Sequence, residues 1–162
     1  MKIGIGSDHG GVNLKAYIKE HLREIGHEVI DYGTQAEVPA DYPDVAEKLC
    51  RAYLSGEFDR GILVCSIADG TNDRGILICR SGIGMSIAAN KIDGIRAAHV
   101  TDCYSARMCR QHNDAQILCL GERVTGQDLA LEIVDAYLLA KHLGGRHTRR
   151  VDKIMKLENT EK

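Results

Sequence analysis

Cys79 closes an apolar run and is followed at once by Arg80-Ser81-Gly82-Ile83-Gly84-Met85-Ser86, ahead of a second apolar run. A glycine-bearing turn between a strand and a helix can aim backbone N–H groups at one point, which is a common way of holding an anion. A thiol at the strand end just before such a turn is favoured as thiolate, the form that acts as base or nucleophile. Taken alone, the turn reads equally well as a tight connection with no ligand. Cys50, Cys103, Cys109 and Cys119 have no comparable neighbourhood and read as small, inert core residues.

A second turn, Gly6-Ser7-Asp8-His9-Gly10-Gly11, sets a carboxylate and an imidazole among glycines. In isolation Asp8 and His9 read as turn residues with an N-cap role. Beside Cys79 they would supply two polar groups to one pocket. His9 occupies the third glycine position of a dinucleotide fingerprint, which disfavours a nicotinamide site. His112-Asn113-Asp114 lies between a helical stretch and a strand, and its imidazole titrates near neutral pH, as a general acid or base should. The blander reading is a solvated surface histidine. In Gly144-Gly145-Arg146-His147-Thr148-Arg149-Arg150, a helix would put Arg146 and Arg150 on one face, where two guanidinium groups can clamp one phosphate. The alternatives are an exposed basic end or, less well supported because no aromatics interleave, a nucleic-acid patch.

These residues need elements to hold them. Lys2–Gly6 reads as a strand and Val12–Ile25 as a helix stopped by Gly26; His27–Ile30 is the next strand. After an Asp41-Tyr42-Pro43 turn, Val45, Leu49 and Tyr53 repeat at helical spacing up to Ser55-Gly56. Gly75–Cys79, Ile83–Lys91, Ile95–Val100, Ser105–Gln111, Gln116–Leu120 and Leu129–His142 continue the alternation. Such an order predicts an α/β fold, a three-layer α/β/α sandwich around a five-stranded parallel, Rossmann-like sheet. Ligands bind such sheets at the carboxyl ends of the strands, which directs attention to Ser7–Gly11 and Arg80–Gly84.

One segment breaks the order. Asp59-Arg60-Gly61-Ile62-Leu63-Val64-Cys65 recurs fourteen positions later as Asp73-Arg74-Gly75-Ile76-Leu77-Ile78-Cys79, with a single difference at Val64 versus Ile78. A tandem duplication is the simplest origin, and only one copy can be the third strand. The second copy is expected to be that strand, because it alone runs into the glycine turn. Residues around 59–72 then form an insertion in a single domain spanning 1–162, which ends in a helical segment around 146–158.

Composition sets the outer limits. At 162 residues with 44% hydrophobic residues, the chain can build a core of its own. Lys and Arg total 21 against 23 Asp and Glu, for a net charge of −2, so nothing global favours nucleic acid or an anionic membrane as partner. No apolar stretch has the length to span a bilayer. Six scattered cysteines without a CxxC pair or zinc spacing point away from a metal centre and towards a reducing, cytoplasmic setting.

Several separated motifs, in register from about residue 2 to 155, together resemble the type B ribose-5-phosphate isomerases, a family that includes galactose-6-phosphate and allose-6-phosphate isomerases. They are Ser7-Asp8-His9-Gly10-Gly11, Asp41-Tyr42-Pro43, Gly82-Ile83-Gly84-Met85-Ser86-Ile87-Ala88-Ala89-Asn90-Lys91, Gly94-Ile95-Arg96-Ala97, His112-Asn113-Asp114, and Gly144-Gly145-Arg146-His147 with Arg150. The resemblance implies interconversion of ribose 5-phosphate and ribulose 5-phosphate through a cis-enediolate, with no metal or other cofactor. It makes Cys79 the thiolate base and His112 the ring-opening acid/base. Ser81, where the family usually has threonine, bonds the reacting oxygens, and the backbone from Ser81 through Gly82 to Gly84 stabilises the enediolate. Asp8, Tyr42 and Asn113 contact the sugar; His9, Arg123, Arg146 and Arg150 grip the phosphate. It also implies a homodimer, or a tetramer built from dimers, with each pocket at the subunit interface. Arg80 departs from the family, which commonly has glycine there, and a positive φ would strain it. A six-carbon phosphosugar, a non-catalytic phosphosugar-binding module and a flavodoxin-like nucleotide or flavin binder are the rival readings; a single Phe and no Trp weaken the last.

Overall fold

The computed structural model describes residues 1–35, 38–56 and 74–158. Among these residues five strands alternate with five helices and a sixth helix follows: β1 (Lys2–Ser7), α1 (Val12–Glu24), β2 (Glu28–Asp31), α2 (Tyr42–Ser55), β3 (Arg74–Cys79), α3 (Ile83–Ala89), β4 (Ala97–His99), α4 (Cys103–Asn113), β5 (Ile117–Gly121), α5 (Gln127–Leu139) and α6 (Arg146–Leu157). The strands form one sheet in the order β2-β1-β3-β5-β4, and every pairing is parallel. The fold class is the one the alternating pattern predicts.

Side chains alternate across the sheet and so create two cores. Ile3, Ile5, Ile76, Ile78, Leu118 and Leu120 pack against α1, α4 and α5 on one face. Leu77, Cys79, Ile117 and Cys119 pack against α2 and α3 on the other. The central strands β1, β3 and β5 are covered on both faces, which is why they read as continuous apolar runs. Each fully buried leucine or isoleucine contributes about 1.5–3 kcal/mol, so the layers hold the strand ends in fixed register.

β3 is the second copy of the repeated heptad, from Arg74 to Cys79; the first copy and the expected insertion at 59–72 lie outside the described residues. Three boundaries differ from the periodicity. α2 begins at Tyr42 with Pro43 in its first turn, where proline's fixed φ and missing N–H do no harm. β4 has three residues, since Arg96 N–H bonds the Gln116 side chain and not a strand. α5 stops at Leu139, leaving His142 free to bond the Gln111 carbonyl and the Thr148 hydroxyl, each at 3.1 Å. Among the described residues, no helix is long and apolar enough to cross a membrane.

Candidate active site

The β3–α3 turn is built around one backbone reversal. Gly82 adopts φ +80°, and its N–H donates to Cys79 Sγ at 3.2 Å. A Cβ at Gly82 would lie 2.5 Å from the His99 ring and 2.9 Å from the Leu120 backbone, so the position demands glycine for both conformation and space. The strain expected at Arg80 does not arise: among the described residues only Asp114 is a non-glycine with positive φ, and the left-handed residue of the turn is Gly82. Ser81 Oγ accepts a long 3.4 Å bond from Ile83 N–H and retains capacity for another partner. The end of β5 holds the turn from beside it, because Glu122 N–H donates to the Cys79 carbonyl at 2.9 Å and Arg123 N–H to the Arg80 carbonyl at 3.0 Å.

The neighbouring turn leaves β1. Ser7 pairs with Ile78, so Asp8 emerges next to Cys79 at the crevice between β1 and β3, where the strand order reverses direction. Asp8 is nearly buried, and its Oδ1 accepts the Gly10 N–H at 2.9 Å. This bond makes Asp8 a turn former and corrects the N-cap reading, since α1 is capped by Gly11 with no side-chain bond. Glu122 serves the first turn of α1 instead, accepting from Leu14 N–H at 3.0 Å and Asn13 Nδ2 at 3.1 Å. A carboxylate seated there takes the place a dinucleotide's pyrophosphate would need, which argues against the nucleotide-binder reading. Across the crevice Tyr42 lays its ring 3.0 Å from where a Gly84 Cβ would stand.

Eight of the twelve sequence-derived residues therefore gather at the carboxyl end of the sheet: Cys79, Ser81, Gly82, Gly84, Asp8, His9, Tyr42 and Arg123. The other four do not. His112 and Asn113 end α4, which runs back from the carboxyl end of β4 for eleven residues, about 16 Å of helix. At that opposite end His112 stacks on His147 with ring centroids 4.2 Å apart and planes 2° from parallel. Arg146 Nε donates to His147 Nε2 at 3.4 Å. Burial, followed by the nearby His112, Arg146, Arg150 and His142, keeps the His147 pKa below its ordinary value. Arg146 and Arg150 lie four apart on α6, as the helical reading requires. A shared pocket for His112 and Cys79 is thus not formed within one chain; the sequence-derived residues fall into two groups at opposite ends of the sheet.

Reading by sequence missed Glu122, Gly121 and His99. Gly121 presses against the Ser81 backbone, where a Cβ would sit 2.6 Å from the carbonyl. Gly121-Glu122 follows an apolar strand just as Ser7-Asp8 and Cys79-Arg80 do, so the strand-end rule that selected those turns could have selected this one. His99 gave no comparable signal. Of the remaining thiols, burial pushes Cys50 up to about 12 and Cys109 up to about 11, and raises fully buried Cys119 as well. Those sulfurs are held neutral and inert. Among the described residues, no group of three or more His, Cys, Asp or Glu side chains is placed to hold a metal ion.

The sequence pattern of the Ribose/Galactose Isomerase family matches residues 3–71 and 66–154, two stretches that overlap inside the duplicated region and carry one heptad copy each. The ribose-5-phosphate isomerase B of Escherichia coli (strain K12) is 46% identical over 157 residues, covering 97% of this chain and 96% of that protein. The Clostridium thermocellum ribose-5-phosphate isomerase B structure superposes with a TM-score of 0.88 at 54% identity, covering all of both chains. The Mycoplasma genitalium ribose-5-phosphate isomerase B structure with bound ribulose-5-phosphate gives 0.83 at 37% identity, over 98% of this chain and 97% of that one. A match of this extent leaves no part of the sheet or its site-bearing turns unaccounted for: the chain belongs to the Ribose/Galactose Isomerase family, on its type B ribose-5-phosphate isomerase side, and is an aldose–ketose isomerase.

Proposed function

We propose that the protein interconverts ribose 5-phosphate and ribulose 5-phosphate by proton transfer through a cis-enediolate, with Cys79 as the base, as one catalytic domain that works as a homodimer. The observation that carries the reading is the Gly82 N–H directed at Sγ of Cys79, a nearly buried thiol at the carboxyl end of β3. An amide donor stabilises the thiolate, and the thiolate removes the proton from C2. Negative charge then gathers on the substrate oxygens, where the Ser81 hydroxyl and the amides from Ser81 to Gly84 receive it; one such donor is worth about 10²–10³ in rate. The proton of the 2-hydroxyl passes to the oxygen on C1, and the thiol returns the carbon proton to C1, leaving the ketone at C2. Asp8 and Tyr42 border the sugar, and His9 and Arg123 meet the phosphate. The bound ribulose-5-phosphate of the Mycoplasma genitalium relative fits this substrate class.

The separation of the two groups supports the dimer. His112 and Asn113, with Arg146 and Arg150, reach a phosphosugar at Cys79 when a second copy presents the amino end of its sheet to the carboxyl end of the first. His112 of that copy opens the sugar ring, and its two arginines close on the phosphate. Ile83 and Ile87, exposed one turn apart on α3 beside the site, offer an apolar surface for such a contact. Cytoplasmic residence accords with the free thiols of the described residues.

The test is a coupled isomerase assay on the wild type, C65A and C79A, with ribose 5-phosphate, allose 6-phosphate and galactose 6-phosphate in parallel. The expected result is turnover of ribose 5-phosphate by wild type and C65A and its loss in C79A. Preference for a hexose phosphate would move the substrate assignment, and binding without ketose formation would leave a phosphosugar-binding module.

A further inference from the structure

We infer that Arg80 is an additional phosphate-binding residue, supplied by the same chain as the base at a position where glycine is common in the family; this rests on the isomerase reading above. Arg80 follows Cys79 directly, but its side chain leaves the other face of β3 and runs across the crevice to the β1–α1 turn. A Cβ on Gly10 would sit 2.5 Å from Arg80 Cγ and 3.2 Å from Nε, so the guanidinium stem lies on the bare Cα of Gly10. Asp8 Oδ1 is also 3.2 Å from that point, yet it is committed to Gly10 N–H and forms no ion pair with Arg80.

The cation is therefore held in place without being neutralised. Arg80 is exposed, makes no ion pair among the described residues, and has its own carbonyl fixed by Arg123 N–H at 3.0 Å. Arg123 is likewise exposed and unpaired among the described residues, and His9 is exposed on the turn that Arg80 covers. Three groups able to bond a phosphate thus stand at three neighbouring strand ends on the carboxyl edge of the sheet. A guanidinium presents paired N–H donors that match phosphate oxygens. With a glycine at position 80, the same chain would offer only His9 and Arg123.

Arg80 touches the phosphate and not the reacting carbons, so its removal should weaken binding and spare chemistry. The experiment compares wild type, R80Q and R80G, the last restoring the residue common in the family. It measures KM and kcat for ribose 5-phosphate and the inhibition constant of inorganic phosphate. A charge-assisted bond is worth about 1.5–3 kcal/mol, so both variants should raise KM and the phosphate inhibition constant together by about tenfold or more, with kcat within about twofold. Unchanged or lower values of both in an active R80Q and R80G would overturn the inference while leaving the isomerase reading intact. If the wild type does not turn over ribose 5-phosphate, that reading fails by itself. Calorimetric titration of inorganic phosphate into wild type and R80Q then decides the role of Arg80: about tenfold weaker binding in R80Q sustains it, and equal binding rejects it.

Discussion

The two ends of β3 are five residues apart and chemically opposite. At its first residue Arg74 is buried, and its guanidinium, like that of Arg110, lies 5.9 Å from the Tyr137 ring centroid. Arg110 is bound to the Ala115 carbonyl at 2.7 Å and to Asp114 at 2.9 Å; Tyr137 donates to the Gln116 carbonyl at 2.6 Å; Arg96 adds bonds to Asp114 and Asn113. At the last residue, Cys79, an amide points at a sulfur, a hydroxyl is half used, and Arg80 and Arg123 are solvated. Residue type does not separate the two regions, since arginine serves both. What separates them is burial: the arginines at the amino end are sealed inside the fold, and those at the carboxyl end face solvent.

The sharpest way to break this contrast is to exchange the thiols. C79A is expected to lose about 10²- to 10⁴-fold in turnover, the usual range for a proton-transfer group. C119A, from a sulfur on the same sheet face but fully buried, should keep its turnover and lose about 1–2 kcal/mol of stability by chemical denaturation. At the other end of β3 the pattern should invert. R110A strips a buried partner from Asp114, and although Arg96 remains, the loss should be about 3 kcal/mol in a urea titration.

A smaller effect sharpens the comparison at the carboxyl end itself. Glu122 is a polar group there whose bonds are all internal, so E122A should act as a structural change. It should cost about 1 kcal/mol, the worth of a helix cap, and raise amide exchange in the first turn of α1. The smallest effect concerns Asp31. Its burial alone would raise its pKa, but bonds from Lys19, Gly33 N–H and Lys15 outweigh burial and hold it below 3.8. The ion cluster's contribution is therefore complete above pH 3.8 and is lost as pH falls through the lower folded-state pKa. Because the group is half exposed, about 0.5–1 kcal/mol is expected, and D31N should flatten the acid limb of stability by that amount.

The fold was legible because apolar runs and helical periods alternate on both sides of the duplicated segment, and Gly26 and Gly56 end α1 and α2 where left-handed residues are needed. The turn at Cys79 was legible for the same reason: strand ends announce themselves. The placement of β3 on the second heptad followed from its continuity with Ser81-Gly82. Periodicity could not show that His112 lies at the far end of the sheet, because it records that α4 exists and not which end of the helix faces the site. Nor could it find Glu122, whose role arises from a contact 108 residues away in sequence at Leu14 N–H. The fate of Arg80 was equally hidden, being settled by its packing on Gly10.

The central claim is that Cys79 and His112 act together although one chain holds them at opposite ends of its sheet. Complementation tests it most directly: C79A and H112A are co-refolded in equal amounts and assayed for ribose 5-phosphate isomerisation beside each parent alone. In a random mixture about half the dimers are mixed, and each mixed dimer has one intact site, so activity should return to about a quarter of wild type from two nearly inactive parents. A mixture no more active than its parents, or a C79A parent with normal turnover, would contradict the account.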